Sequence, residues 1–175
     1  MIKARDVDDS DLRGFLDDYK YQKKLTHRLD CVTGEFTQGL VNEIVLWKVN
    51  RFAELTPKVL DDINTLSKLE KGQHAHARSA LEDLLEERGV DLAMASTILR
   101  FRNPSVFQII DRHAYRALYG RLLPMTTVTA KKIDLYFRYL EDLRSLCDDR
   151  GLRFETADRV LYVFDKTKNG SLMAR

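Results

Sequence analysis

A lone carboxylate among basic residues is the feature of this sequence best suited to chemistry. Asp111 follows an apolar segment and opens a predicted helix that also carries His113 and Arg116. Arg112 is its direct neighbour, and nearby guanidinium groups keep a carboxylate ionised. A fixed, ionised carboxylate stabilises positive charge that develops during a reaction. Asp is also a common helix N-cap, and one side chain can serve both purposes.

Two predicted helices joined by a tight turn precede this carboxylate. An Ala- and Leu-rich helical run ends at Gly89, which supplies the positive φ of such a turn or caps the outgoing helix. Small residues near the start of the next helix allow the two helices to approach closely. The N-terminus of that helix would present unpaired N–H groups to an anion such as phosphate. Asp91 stands in the turn, where its carboxylate would cap the helix but repel a phosphate.

This hairpin and the carboxylate after it resemble the helix-hairpin-helix DNA glycosylases. Their hairpin reads roughly Gly-hydrophobic-Gly-x-x-x-Ala, and their catalytic Asp opens a later helix in an Asp-x-His-x-x-Arg context. Asp111, His113 and Arg116 match that context, and the separation from Ala93 to Asp111 equals the family's spacing from its hairpin Lys to its Asp. The chain differs in having Asp91 at the second hairpin Gly and Ala93 where some members carry the Lys.

The apolar periodicity predicts an all-α protein, since no useful length of sequence alternates with period two. The resemblance implies two helical lobes with an active-site cleft between them. One lobe would comprise residues 36–110, with the helix-hairpin-helix near 76–101. The other would comprise residues 1–35 together with 111–175. Asp111 would then lie in the cleft.

The resemblance implies a base-excision-repair-type DNA N-glycosylase that removes a damaged or modified base. Asp111 would stabilise the oxocarbenium-like sugar and activate a water molecule. Because Ala93 offers no amine for a Schiff base with the sugar, the enzyme should be monofunctional and leave the strand uncut. The alternative is a catalytically inactive helix-hairpin-helix DNA-binding protein, which Asp91 and Ala93 favour.

The resemblance also assigns residues to DNA, to the base pocket and to an ion. Trp47 and Tyr115 are the candidates for the base pocket. The hairpin carbonyls near Gly89 are expected to hold a monovalent cation, K⁺ or Na⁺, with no metal on side chains and no other cofactor. Asn50 is the candidate to fill the space left by the extruded base. The residues expected to contact DNA are Gly89, Val90, Ala93, Ser96, Arg112, His113, Asn50 and Lys48.

Composition is that of an ordinary globular protein, with 175 residues and a net charge of +2. No apolar run is as long as a membrane span, and the N-terminus lacks the apolar core of a signal peptide. Arginines outnumber carboxylates between Arg100 and Arg121, so a duplex would approach that side, although a solvated basic face has the same pattern. We therefore expect a cytoplasmic, nucleoid-associated monomer that binds double-stranded DNA, with Cys31 and Cys147 as reduced thiols.

Helical periodicity and capping signals predict where the helices lie. Residues 23–35 are expected to be a connector, and His74 and His76 to lie on the surface. The predicted helices span about 8–22, 36–54, 57–69, 73–88, 92–101, 104–108, 112–119, 127–149 and 155–166.

Overall fold

The computed structural model describes residues 2–19, 23–48, 55–87 and 89–170, and over these residues the protein is all-α, without strands. Four short 3₁₀-helices accompany the α-helices, at Ala4–Asp6, Leu66–Lys68, Gln73–Ala77 and Phe154–Thr156. The α-helices of the described residues are α1 Asp9–Asp17, α2 Lys23–Asp30, α3 Gln38–Lys48, α4 Pro57–Thr65, α5 Arg78–Glu86, α6 Leu92–Arg102, α7 Arg112–Tyr119, α8 Thr129–Arg150 and α9 Ala157–Lys168.

Helix ends that local chemistry determines fall where the sequence predicts them. The Thr56 hydroxyl caps α4 by accepting the N–H of Val59 at 3.3 Å, with Pro57 at the first helical position. Gly120 and Gly151 end α7 and α8 with φ of 68° and 61°, a conformation that glycine adopts without strain.

Three predicted elements differ from the structure. The predicted connector after the first helix contains α2, whose residues Thr26 and Leu29 are buried. The first helix ends at Asp17. The helix predicted over 36–54 corresponds to α3, and its last predicted residues, 49–54, lie outside the described residues, as does the candidate Asn50. The short helix predicted over 104–108 is instead a turn followed by a segment without regular secondary structure. The side-chain amide of Asn103 donates to the carbonyls of Leu66 and Leu69, both at 2.9 Å, which holds the chain at this turn.

His74 is buried, contrary to the prediction that it lies on the surface. It is 7% exposed, and its ring meets Phe137 edge-on with the centroids 5.2 Å apart. Burial lowers the pKa of His74 below its usual value, with Arg144 acting in the same direction and Glu141 against it. His76 is exposed, as expected.

Buried side chains from both predicted segments form one contiguous hydrophobic cluster. Helix α9 lies against both α7 and α1, while α3 lies against α6. Helix α5 contacts α6 and also α8, so α8 joins the 36–110 segment to the C-terminal helices. Within the described ranges, we find no helix with the length and apolar character that a membrane span requires.

Candidate functional site

A pocket of about 210 Å³ opens where α3, α7 and α9 meet Tyr19, two residues beyond the end of α1. Its walls combine aromatic rings with charged groups of both signs. It is lined by Tyr19, Trp47, Lys48, Ile109, Asp111, Ala114, Asp158, Arg159 and Tyr162.

Asp111 lies in this pocket and is the N-cap of α7. Its backbone is extended, and Oδ1 accepts the N–H of Ala114 at 2.8 Å. The other carboxylate oxygen, Oδ2, lies 3.5 Å from Nζ of Lys48. The predicted cap is therefore confirmed, and the same side chain lines the pocket, whereas its catalytic use stays a prediction.

The irregular segment 108–110 determines where Asp111 lies. Tyr136 and Tyr139 of α8 donate their hydroxyls to the carbonyls of Gln108 and Ile109 at 2.9 and 2.8 Å. The N–H of Ile110 donates to Oγ of Ser96 at 3.2 Å. These groups are buried, where an unmade hydrogen bond is costly. Helices α6 and α8 thus position Asp111 through hydrogen bonds to the backbone of the residues just before it.

Ser96 is consequently not a DNA contact in this structure, which corrects the expectation. It is fully buried, donating to the carbonyl of Ala93 at 2.9 Å while it holds Ile110. Val90 is also buried, so its side chain cannot reach a duplex. Gly89 makes the expected turn, with φ of 83°, and is exposed, whereas Ala93 is half-buried.

Asp91 caps α6 in the way the sequence predicts. Its carboxylate accepts the N–H of Met94 at 3.1 Å. That N–H is one of those that a phosphate at this helix N-terminus would use. The residues that the structure describes contain no group of three or more His, Cys, Asp or Glu placed to hold a metal ion. A monovalent cation on the carbonyls near Gly89 stays a prediction.

Lys48, which we expected at the DNA, lies beside the catalytic candidate. Its side chain is 17% exposed and that of Asp111 is 19% exposed, so the pair is largely shielded from water. An amine therefore stands next to the carboxylate even though position 93 is Ala. It comes from the end of α3, far from the hairpin in sequence.

Of the two predicted pocket aromatics, Trp47 lines the pocket and Tyr115 does not. The indole N–H of Trp47 donates to Oγ1 of Thr26 at 2.6 Å. Successive residues of a helix are rotated by about 100°. Ala114 therefore takes the pocket-facing position of α7, and Tyr115 is turned into the core against Tyr119, with the ring centroids 4.5 Å apart.

His113 and Arg116 bind one buried carboxylate on α9. Nδ1 of His113 lies 2.7 Å from Oδ2 of Asp165, and Arg116 donates to both Asp165 oxygens at 2.7 Å. Burial raises the pKa of Asp165, but hydrogen bonds from His113, Arg116 and Asn169 outweigh it, so this pKa lies below its usual value. His113 thus joins α7 to α9, and its side chain is 20% exposed; its contact with DNA stays a prediction. Arg112 is exposed and forms no ion pair with a described residue.

A cluster of charges adjoins the pocket, with Arg100 and Asp158 buried and Asp30 exposed, and sequence reasoning did not identify it. Arg100 and Arg159 share Asp30 as an acceptor, and Arg100 also donates to the carbonyl of Glu155 at 2.7 Å. Burial raises the pKa of Asp30, but its bonds to the two arginines outweigh burial, so its pKa is lowered. Asp158 completes the cluster, with Oδ2 3.6 Å from Nε of Arg100.

Tyr19 and Tyr162 complete the aromatic part of the pocket. Their ring centroids lie 6.1 Å apart in an edge-to-face arrangement, and burial raises the pKa of Tyr19 well above its usual value. One sequence signal could have indicated this wall. Asp158 and Asp165 lie seven residues apart on the apolar side of a predicted helix, where a carboxylate needs a partner.

Comparison of the chain with protein-family models, with curated proteins and with solved structures gives no match.

Proposed function

We propose that the protein is a monofunctional DNA N-glycosylase that removes a damaged or modified base from double-stranded DNA. Its helices would form the two-lobed helix-hairpin-helix glycosylase fold, with residues 36–110 as one lobe and the remaining helices as the other. The observation that supports this most is the position of Asp111, a carboxylate that caps α7 and faces an aromatic pocket.

The pocket suits one planar ring. Its volume of about 210 Å³ is below the roughly 300–1,000 Å³ of pockets that hold drug-sized ligands. Enzymes that act on a base extrude it from the stack and hold it between aromatic and apolar side chains. Tyr19, Trp47 and Tyr162 supply such faces beside the carboxylate.

Asp111 would act on the sugar once the base occupies the pocket. As the N-glycosidic bond breaks, the bonding pair leaves with the base, and positive charge develops on the sugar. The ionised carboxylate stabilises that charge and accepts a proton from the water that attacks C1′. The base takes up a proton on release, and the product strand carries an abasic site.

Lys48 would hold the Asp111 carboxylate in place, with Nζ 3.5 Å from Oδ2. A charged lysine has no lone pair with which to attack the sugar. We therefore retain water as the nucleophile, and no strand cleavage is expected.

DNA would approach the mouth of this pocket. Arg112, exposed next to Asp111, is suited to a phosphate contact. The hairpin would contribute backbone groups near Gly89, with K⁺ or Na⁺ on its carbonyls. The protein would work as a monomer on DNA in the cytoplasm.

Base release from defined duplexes tests the proposal. The protein would be incubated with duplexes that carry uracil, an alkylated purine, an oxidised guanine or a mismatch, and hot alkali would then reveal abasic sites. Asp111→Asn should lower release from the preferred duplex by about 100-fold or more, since it removes the charge that stabilises the transition state.

Asp91→Asn is the matched control. Asp91 and Asp111 make the same capping bond, and Asn is an equally good N-cap, so both variants should fold and bear the same change of charge. Only the Asp111 variant should lose activity. If no duplex of the panel loses its base while DNA binding is retained, the non-catalytic DNA-binding alternative replaces the proposal.

A further inference from the structure

The segment between α7 and α8 carries exposed apolar side chains that do not line the pocket. In the described part of the chain, the large apolar residues that are exposed are Ile2, Leu46, Leu122, Met125 and Val128. Three of them lie in this segment, and Met125, at 88%, is the most exposed of all. Single exposed apolar residues are common on protein surfaces, whereas a group of them indicates an interaction site.

Exposure along this segment repeats every three residues. The residues of residues 122–129 that are half-buried are Leu123, Thr126 and Thr129. Three residues per turn is the period of the polyproline II helix, in which every third side chain faces the same way. Pro124 favours such a backbone, since it fixes its own φ and keeps the preceding residue out of the helical region.

The exposed apolar residues of the segment therefore share one edge. Leu122, Met125 and Val128 are each three residues apart. At a rise of about 3.1 Å per residue, the edge from Leu122 to Val128 is about 19 Å long.

No carboxylate interrupts this edge. The sequence contains no Asp or Glu between Asp111 and Asp134, and Asp134 is paired with Arg78. The N-terminus adds a further apolar residue, because the side chain of Lys3 packs against Gly120 at the end of α7, with the exposed Ile2 beside it.

Basic side chains surround the apolar edge. They are Lys3, Arg121, Lys131 and Lys132. No ion pair joins any of these four to another residue that the structure describes. Their charge is therefore available to an anionic partner.

We propose that residues 121–132, together with Ile2 and Lys3, bind the surface of an anionic phospholipid bilayer. The basic side chains contact the headgroups, and the apolar edge enters the boundary between headgroups and acyl chains. Duplex DNA offers phosphates to the same cations, but its charged outer surface leaves an apolar edge of this length in water. The surface adjoins the C-terminal end of α7, whereas Asp111 caps the N-terminal end, so the proposal does not rest on the proposed function.

Co-sedimentation of the full chain with sucrose-loaded vesicles tests the proposal. Vesicles of phosphatidylcholine with about one third phosphatidylglycerol should bind at least about tenfold more tightly than vesicles of phosphatidylcholine alone. Salt should reduce this difference, because it screens the exposed cations.

Leu122→Ser should weaken binding to the anionic vesicles by about fivefold to tenfold, since less apolar surface leaves water. Leu46→Ser is the matched control. Leu46 is exposed to nearly the same extent, 48% against 52% for Leu122, but it lies on α3. Both side chains are exposed, so both variants should fold.

Lys131→Ala should weaken the same binding by about fivefold, the contribution of one basic residue near an anionic surface. Lys68→Ala should leave it unchanged. Lys68 is also exposed, but it belongs to the 3₁₀-helix that follows α4.

Equal binding to the two kinds of vesicle, or no binding to either, overturns the proposal. An equal loss in Leu122→Ser and Leu46→Ser does the same. If Leu122→Ser and Lys131→Ala weaken binding to duplex DNA while the vesicles stay unbound, the surface contacts DNA instead. Base release measured without vesicles should be unchanged in Leu122→Ser. Absence of vesicle binding therefore leaves the proposed glycosylase standing, and vesicle binding without base release has the opposite meaning.

Discussion

Lys48 and Asp111 face each other at 3.5 Å, one at the end of α3 and the other at the start of α7. Sixty-three residues separate them in sequence, so only the tertiary structure brings the amine to the carboxylate. The position of the amine beside the carboxylate therefore depends on the packing of α3 against α6.

Replacing Lys48 by Met should lower base release by about tenfold, because the Asp111 carboxylate loses the ion pair that holds it in place. Lys58→Met is the control, since Lys58 is an exposed lysine paired with Asp62 and Asp83 outside the pocket. Borohydride treatment during reaction with an abasic duplex should give no covalent protein–DNA adduct. An adduct that disappears in Lys48→Met would show that Lys48 attacks the sugar and that the enzyme also cleaves the strand.

Tyr139→Phe should destabilise the protein by about 1–3 kcal/mol, since the buried carbonyl of Ile109 would lose its donor. Urea unfolding would measure the loss, and the base-release assay would show a parallel decrease as Asp111 shifts. Tyr119→Phe is the control. Its hydroxyl donates to the half-buried Asp142 at 2.6 Å, whose carboxylate water can reach, so its cost should be clearly smaller. Equal costs would contradict a positioning role for the 108–110 segment.

Acidification should destabilise the protein through His74. Because burial lowers its folded-state pKa below the value of about 6.5 in an unfolded chain, the unfolded state takes up the proton first. The contribution of His74 to stability is therefore complete above about pH 6.5 and decreases as the pH falls through the folded-state pKa.

His74→Gln should flatten this dependence, measured as the free energy of unfolding in urea between about pH 7.5 and 5. His76→Gln, which removes an exposed histidine of the same 3₁₀-helix, should leave it unchanged. The prediction fails if both variants respond to pH as the wild type does.

Arg112→Ala should weaken binding to duplex DNA uniformly across sequences and reduce the slope of log affinity against log salt by about one. Fluorescence anisotropy at several salt concentrations would measure both quantities. Arg78→Ala provides the comparison, because Arg78 is paired with Asp134 between α5 and α8 and does not line the pocket. An unchanged salt slope in Arg112→Ala would place the duplex elsewhere.

Sequence reasoning predicted the features that short-range chemistry determines. The start of α7 at Asp111 follows from capping, and its end at Gly120 from the positive φ that glycine allows. The path of residues 108–110 was not predictable, because its hydrogen bonds come from Tyr136 and Tyr139 far along the chain. A local pattern after Pro104 indicates a helix, whereas hydrogen bonds from the distant hydroxyls hold these residues on a non-helical path.

The same limit applies to the pocket. A match to a motif predicted one carboxylate, but a motif does not reveal which side chains face it. His113 and Arg116 match the motif and yet turn toward Asp165. Lys48, which was expected at the DNA, and Asp158, which no motif indicated, line the cavity. Asp158 and Asp165, on the apolar side of α9, were the sequence feature that could have indicated these contacts. A carboxylate at such a position needs a charged or hydrogen-bonding partner from another element.

The hydrogen bonds of segment 108–110 have a consequence for the energetics of the proposed reaction. The entropy of ordering this backbone is lost when the protein folds, before any substrate arrives. The carboxylate it carries is thus preorganised, and no reorganisation of its surroundings adds to the barrier when charge develops. The movement before the reaction would occur in the nucleic acid. A base would unstack and rotate toward the Asp111 carboxylate, which is already in place.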